Sequence, residues 1–324
     1  MRCRLGGHAR RRDPAGVLRP RIPQRTKLDR IVSQAASKDQ ESKMRAAASF
    51  ACNSYAYTLS HDARSCVAHL ADLGFREFEL MIYPGHLWPP AASAGERAAL
   101  RRFTEESGLR IVSLNMPNID INIAGASAEM RRYSLDLLSG VLALAGDLGV
   151  AGVVIGPGKA NPLFPAPRRH LIDHFYAALD ALVPLARKVG TQVWVENMPF
   201  AFLPSMNEVM DELERYGNDH IGVVYDVANG HFIHEVLAEA LRRCRTRLKL
   251  VHLSDTGQHT YRHDPVGMGT VPFDAVPAVL KEIGYSRLPV LEIISQQPDR
   301  DILSSLDKLA ALGYARAVAQ DRSK

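Results

Sequence analysis

The sequence lacks the features that mark membrane, secreted and disulfide-bonded proteins. No run approaches the roughly 18 uninterrupted apolar residues of a membrane span. The four cysteines are scattered and form no C-x-x-C pair, so the sequence indicates neither a zinc ribbon nor a disulfide framework. The first residues contain no apolar segment of the kind found in a secretory signal. We therefore expect a reducing, cytoplasmic setting and no membrane partner.

Basic residues are concentrated at the start of the chain. Residues 1–47 contain 13 of the 40 Lys and Arg residues but only four of the 35 Asp and Glu residues. The rest of the chain is mildly acidic, although the net charge of the whole is +5. A nucleic-acid-binding fold carries its basic residues on the fold itself, so we expect no nucleic-acid partner. We predict a disordered tail over residues 1–47, which a mis-assigned start upstream of Met44 would explain.

From residue 48 onward, short apolar runs alternate with longer amphipathic segments. The eight runs are continuously apolar, which is typical of parallel strands that are covered on both faces. The predicted strands lie at residues 49–57, 76–83, 110–116, 151–158, 191–197, 221–226, 248–255 and 288–295. Eight strand–helix units of this size fit a (β/α)₈ barrel.

The residues after the first predicted strand decide between two fold classes. A doubly wound sheet that binds a dinucleotide would carry G-x-G-x-x-G at this place. The segment "CNSYAYTLSHDA" contains no glycine. We therefore predict an α/β protein with one (β/α)₈ TIM barrel domain over residues 48–318, preceded by the basic tail.

Several helix limits are marked by residues that favour helix ends. Two helical segments end at Gly74 and Gly149, in the position where glycine commonly stops a helix. Another begins with Ser205 and has Glu208 three residues later, which is a capping box. Pro184 lies inside the segment "HLIDHFYAALDALVPLARKVG", and we expect it to kink or split that helix.

Four metal-capable side chains lie near the carboxyl ends of consecutive predicted strands, where barrels of this kind place their active sites. They are Glu196, Asp226, His252 and Glu292, on strands five to eight. Three carboxylates that meet at one place repel each other unless a cation is present. We therefore predict a site for one divalent metal ion. Oxygen ligands favour Mn²⁺, Mg²⁺ or Co²⁺, with Zn²⁺ as an alternative.

This pattern resembles the xylose-isomerase-like barrel superfamily. The resemblance rests on the Glu, Asp, His and Glu series and on the segments "HLSD" and "HDPVGMG", and it covers roughly residues 48–315. That superfamily includes ketose 3-epimerases, hydroxypyruvate isomerases, inosose and dehydroshikimate dehydratases, and endonuclease IV. The resemblance implies an isomerase or epimerase of a small sugar, ketose or hydroxy-keto acid, which transfers protons through a metal-stabilised enediolate. A metal-dependent dehydratase is the alternative.

The resemblance also implies roles for individual residues. Glu196, Asp226, His252 and Glu292 would be the metal ligands. Glu196 and Glu292 would also lie on opposite sides of the reacting carbon, where one removes a proton and the other returns one. The expected partner is a small carbohydrate or keto acid, and a homo-oligomer is left open.

Six residues are candidates for contact with substrate: Trp88, Asn115, Asn229, His231, Asp255 and His263. Asn229 stands where many members of the superfamily have a histidine that touches substrate, and His231 is a candidate to replace it. Trp88 follows strand two and would form an aromatic wall against a sugar face.

The segment after strand seven carries a departure from endonuclease IV. His263 matches the place of a further zinc-binding histidine in that enzyme, but its companion aspartate is Tyr261 here. The departure favours one metal ion and makes a nuclease the less favoured reading. Gly267 and Gly269 let the backbone turn back over the site, and a phosphate cradle at this G-x-G is left open.

Overall fold

Eight parallel strands close into a barrel in chain order in the computed structural model, which describes residues 46–314. The strands are β1 (Ala51–Asn53), β2 (Glu77–Met81), β3 (Arg110–Asn115), β4 (Gly152–Ile155), β5 (Gln192–Glu196), β6 (Ile221–Asp226), β7 (Leu248–Leu253) and β8 (Val290–Leu291). Each lies within the stretch predicted for it, so the predicted (β/α)₈ barrel is confirmed. Residues 1–45 of the predicted tail lie outside the described residues.

Nine α-helices are assigned within residues 46–314. They are α1 (Ala63–Asp72), α2 (Ala94–Glu106), α3 (Ala128–Leu148), α4 (Arg168–Val189), α5 (Met206–Tyr216), α6 (Val227–Phe232), α7 (Leu237–Cys244), α8 (Val276–Glu282) and α9 (Pro298–Ala311). None of these helices has the length and apolar character needed to cross a membrane.

The predicted helix signals are confirmed at two places, and of the kink or split predicted at Pro184 the split is wrong. Gly149 ends α3 in the left-handed conformation, and Ser205 and Glu208 form both bonds of the capping box at the start of α5. Helix α4, however, continues through Pro184. Proline has no N–H group, so Pro184 cannot donate a hydrogen bond to the carbonyl of Asp180 one turn earlier. Both residues lie on the exposed face of α4, where water can donate to that carbonyl instead.

The interior of the barrel contains an apolar layer that includes the buried ring of Trp194. Its members are Ala51, Val112, Val154, Trp194, Val224, Leu250, Leu288 and Val290. The Trp194 ring fits because β4 and β6 carry Gly152 and Gly222 beside it, and a Cβ atom at either glycine would overlap with the ring. The Arg287 guanidinium lies 5.3 Å from the centre of the same ring.

We expect Gly152→Ala to lower the free energy of unfolding by about 1–3 kcal/mol, because the added methyl group has no space beside Trp194. The matched control is Gly95→Ala in the first turn of α2, where the nearest atom to a new Cβ is 4.0 Å away. The control should keep or raise stability, since alanine favours helix. Urea denaturation of both variants measures the difference. Equal stabilities would contradict this account of the barrel interior.

Candidate active site

The four predicted ligands converge at the carboxyl end of the barrel. Their ligand atoms all lie within 4.8 Å of one another, and all four residues are buried. Nδ1 of His252 lies 2.9 Å from Glu196 Oε1, 3.0 Å from Glu292 Oε2 and 3.9 Å from Asp226 Oδ2. One imidazole nitrogen is thus surrounded by oxygens from three different strands or strand ends.

Strand periodicity explains why these side chains share one level of the barrel. Residues two apart on a strand point to the same side. Each of the four ligands follows by two residues a member of the apolar layer, namely Trp194, Val224, Leu250 and Val290. The ligands therefore form a polar layer directly above an apolar one, at the level where the strands end. The apolar layer limits access of water from below.

The four residues perturb each other's protonation strongly. Burial raises the pKa of both Glu196 and Glu292 to about 7, and nearby carboxylates add to the effect. Burial alone would lower the pKa of His252, but the carboxylates of Glu79 and Glu292 outweigh it and raise the pKa well above its ordinary value. This is the expected behaviour of like charges that are brought together away from water.

The chemistry of these side chains fits a divalent cation. Oδ2 of Asp226 is buried and has no hydrogen-bond partner among the described residues, whereas Oδ1 accepts a bond from the backbone N–H of Asn229 at 2.9 Å. A buried carboxylate oxygen without a partner is unfavourable unless it binds a cation. Three oxygen donors and one imidazole nitrogen are a common ligand set for divalent ions.

Glu79 on β2 is a buried residue of the site to which our sequence analysis assigned no specific role. Its Oε1 lies 3.1 Å from Nε2 of His252, on the opposite edge of the ring from Nδ1. Asn53, Ser113 and Asn115 hold the carboxylate with hydrogen bonds of 2.6, 2.7 and 3.2 Å. Burial opposes ionisation of Glu79, but His252 outweighs it and lowers the pKa. Glu79 therefore lies directly behind the ring of His252, although Nε2 makes no hydrogen bond of good geometry to it among the described residues.

Asn197 is a second residue that the sequence analysis did not assign. It follows Glu196 directly, and its amide exchanges two hydrogen bonds with the backbone of Asp226, of 2.8 and 3.1 Å. The side chain of Asn229 in turn donates to the carbonyl of Asn197 at 2.8 Å. These bonds connect the end of β5 to the end of β6. They therefore fix the position of Glu196 relative to Asp226.

A cavity of about 380 Å³ opens above the polar layer. Two of the ligands, Glu196 and Glu292, border it, as do three of the residues predicted to contact substrate: Asn115, Asn229 and His263. The cavity is large enough for a small ligand. Asp226 and His252 are not among the residues that border it, so the two glutamates are the members of the cluster that a bound molecule would meet first.

The other three predicted substrate contacts lie elsewhere. Trp88 borders a separate cavity between the start of α1, α2 and α3. His231 lies 2.8 Å from the Thr270 hydroxyl through its Nε2 and contacts the loop after β7. Asp255 is buried, and its carboxylate accepts hydrogen bonds from the backbone N–H groups of the same loop. The structure does not bring these three side chains to the cavity above the metal-capable cluster.

Tyr261 and His263 extend the site along the loop after β7. The Tyr261 hydroxyl donates to Oδ1 of Asn229 at 2.6 Å and lies 2.8 Å from Nε2 of His263. Because that hydroxyl has one proton, Nε2 of His263 is the donor to it. Nδ1 of His263 lies 3.0 Å from the Ser254 hydroxyl oxygen and 3.6 Å from Glu292 Oε2.

Known proteins resemble this chain over most of the barrel. A family profile described as xylose isomerase-like TIM barrel matches residues 67–312. An uncharacterized protein of Methanocaldococcus jannaschii is 23% identical over 189 residues, which are 56% of this chain and 64% of that protein. L-ribulose-5-phosphate 3-epimerase UlaE of Shigella boydii is 20% identical over 223 residues, 68% of this chain and 78% of the enzyme. The chain thus spans less than two thirds of the length of the first of these relatives.

One solved structure shows the same fold over nearly its whole length. The crystal structure of a D-tagatose 3-epimerase-like protein aligns with a TM-score of 0.71 at 21% identity. The alignment covers 84% of this chain and 99% of that chain. At this level of identity the likeness concerns the fold.

We expect Glu79→Gln to weaken the binding of Mn²⁺ by about 10–100-fold, because groups that orient a metal-binding histidine typically contribute that much to affinity. The matched control is Glu77→Gln on the same strand, whose carboxylate pairs with Arg110 at 2.5 Å instead. Isothermal titration calorimetry measures both affinities, and circular dichroism checks the fold. If the two variants bind Mn²⁺ equally well, Glu79 does not position His252.

Proposed function

This chain belongs to the xylose isomerase-like TIM barrel family, and we propose that it is a divalent-metal-dependent isomerase or epimerase of a small sugar, ketose or hydroxy-keto acid. The observation that carries the proposal is the cluster of three buried carboxylates and one imidazole at the floor of a cavity of about 380 Å³. The names of two similar proteins, a ribulose-5-phosphate 3-epimerase and a tagatose 3-epimerase-like protein, support the same class.

The four residues Glu196, Asp226, His252 and Glu292 would hold the ion. A divalent ion at this place would polarise a substrate carbonyl and offset the negative charge that develops when the adjacent carbon loses a proton. Mn²⁺, Mg²⁺ and Co²⁺ suit the three oxygen donors best, and Zn²⁺ suits them less well.

We assign proton transfer to the two glutamates. Both border the cavity, whereas Asp226 and His252 lie behind them. A carboxylate within reach of the carbon next to a carbonyl can remove a proton, and a second one on another side of the cavity can return it. Because Glu196 ends β5 and Glu292 follows β8, the two carboxylates approach the cavity from different strands. This arrangement permits inversion at a carbon centre.

The remaining polar groups of the cavity would hold the substrate hydroxyls. Asn115 and Asn229 offer amide groups, and Tyr261 offers a hydroxyl oxygen. Asn229 and Tyr261 are held by their mutual hydrogen bond of 2.6 Å, so neither has to be ordered when substrate binds. Groups that are already fixed in the free protein lose less entropy on binding.

We expect Glu196→Gln and Glu292→Gln each to remain folded, to bind Mn²⁺ at high concentration and to lose turnover by at least about 10²-fold. Glutamine keeps the size and one oxygen donor of glutamate but cannot act as a base. The measurement is epimerisation of ketoses at saturating Mn²⁺, together with incorporation of solvent deuterium next to the carbonyl.

The matched control is Asp226→Asn, a ligand to which we assign no proton transfer. Excess Mn²⁺ should largely restore its turnover, since only metal affinity is affected. Near-normal turnover in both glutamine variants would show that the glutamates are not the bases. Turnover by the wild-type enzyme without any deuterium incorporation would instead favour a hydride shift over proton abstraction.

A further inference from the structure

Two basic side chains, Lys159 and His263, border the cavity above the metal-capable cluster among the described residues, and His263 is already hydrogen-bonded to Ser254 and Tyr261. Among the described residues that border it, Lys159 is the one Lys or Arg. Its ammonium group donates to the backbone carbonyls of Asn118 and Ile119 at 2.5 and 2.9 Å. Two of its three N–H donors are therefore already used, and they fix the loop after β3. Recognition of a phosphate dianion usually requires several charge-assisted donors, often from arginine.

The G-x-G segment after β7, the other place for a phosphate, is filled by a carboxylate of the chain itself. Barrels of this type often bind phosphate with the loops after strands seven and eight. Here the backbone N–H groups of Gly267 and Val271 donate to the Asp255 carboxylate at 2.7 and 3.1 Å. The N–H of Thr270 donates to the carbonyl of Thr256 at 2.9 Å. These amides are engaged, and the carboxylate that engages them would repel an anion.

The tight packing of this loop explains its glycine pair. Gly267 has a positive φ of 88°, and a Cβ atom at Gly269 would overlap with the Thr256 carbonyl and the Asp255 carboxylate. Both glycines are therefore needed to wrap the loop around Asp255. The sequence alone allowed the G-x-G pattern to be a phosphate-binding loop. In the structure the two glycines are explained by the packing of the loop against Asp255 and Thr256.

The outer rim of the cavity is apolar and aromatic. Phe200, Phe232 and Tyr261 form a cluster with ring centres 5.2–5.8 Å apart, and the Phe200 side chain is 63% exposed at the rim. Ile119 and Ile294 are exposed on the same rim. Such a surface suits the C–H face of a sugar or a short carbon chain, and it offers nothing to a phosphate dianion.

From these contacts we infer that the substrate is an unphosphorylated ketose, whose carbonyl end lies over the carboxylate floor and whose other end packs against Phe200. This inference rests on the proposed function for the reaction, but its statement about binding can be tested separately. An unphosphorylated substrate would distinguish this chain from the similar protein L-ribulose-5-phosphate 3-epimerase, whose name specifies a sugar phosphate.

The test compares matched pairs of sugars: L-ribulose with L-ribulose 5-phosphate, and D-tagatose with D-tagatose 6-phosphate. Binding is measured by calorimetry with the Glu292→Gln variant and Mn²⁺, and turnover is measured with the wild-type enzyme. We expect each free ketose to have at least about tenfold higher affinity and about 10²-fold higher kcat/KM than its phosphate. A phosphate that binds or turns over better than its free sugar would overturn the inference.

Two further outcomes separate the inference from the proposed function. Binding of the free ketoses with no turnover and no deuterium exchange would leave the inference supported and contradict the proposed epimerase. A lack of binding and turnover for all four sugars would contradict both.

The role of the aromatic rim is tested with Phe200→Ala. We expect KM for the preferred free ketose to rise about tenfold with kcat little changed, because Phe200 packs against the end remote from the chemistry. The matched control is Phe164→Ala, an 87% exposed phenylalanine on the loop after β4 that does not border the cavity. An unchanged KM in Phe200→Ala, or an equal rise in both variants, would contradict the placement of the substrate on this rim.

Discussion

The burial of three carboxylates around one imidazole is the constraint on which the rest of the site depends. Nδ1 of His252 has carboxylate oxygens of Glu196 and Glu292 within 3.0 Å, and the unpartnered Oδ2 of Asp226 lies 3.9 Å away. Such a group is unfavourable in a dry interior unless protons or a cation neutralise it. The surrounding structure holds the charges in place: Trp194 and its apolar neighbours support them from below.

The polar residues around the buried carboxylates fall into two groups, those that only support the cluster and those that also border the cavity. Glu79 contacts the far edge of the His252 ring, and Asn197 ties Asp226 to the end of β5, so these two residues serve the cluster without reaching the cavity. Glu196 and Glu292 do reach it. The site thus combines a buried charged floor with an aromatic rim, and the proposed substrate would meet loop residues such as Phe200 at its remote end.

The barrel and the convergence of its four metal-capable residues were predictable because their signals are local. Eight continuous apolar runs predicted eight strands, and a carboxylate within an apolar run, as in "VWVEN" and "PVLEII", marked Glu196 and Glu292. The same signal is present in "EFELM", but it does not indicate that Glu79 on β2 lies against His252 on β7. Loop residues were not predictable in this way. Whether Asp255 faces the cavity or its own loop depends on the conformation of residues 256–272. That loop is irregular, so its conformation cannot be predicted from a helix or strand period.

The most direct test of the central claim is the binding of Mn²⁺ to protein stripped with a chelator, measured by isothermal titration calorimetry in the wild type and in Asp226→Ala. Asp226 carries a buried carboxylate oxygen without a hydrogen-bond partner among the described residues, and its replacement removes one of the four proposed ligands. The account predicts one ion per chain in the wild type and at least about tenfold weaker binding in the variant. No binding at millimolar Mn²⁺, or equal affinity in the two proteins, would contradict a metal site at this cluster.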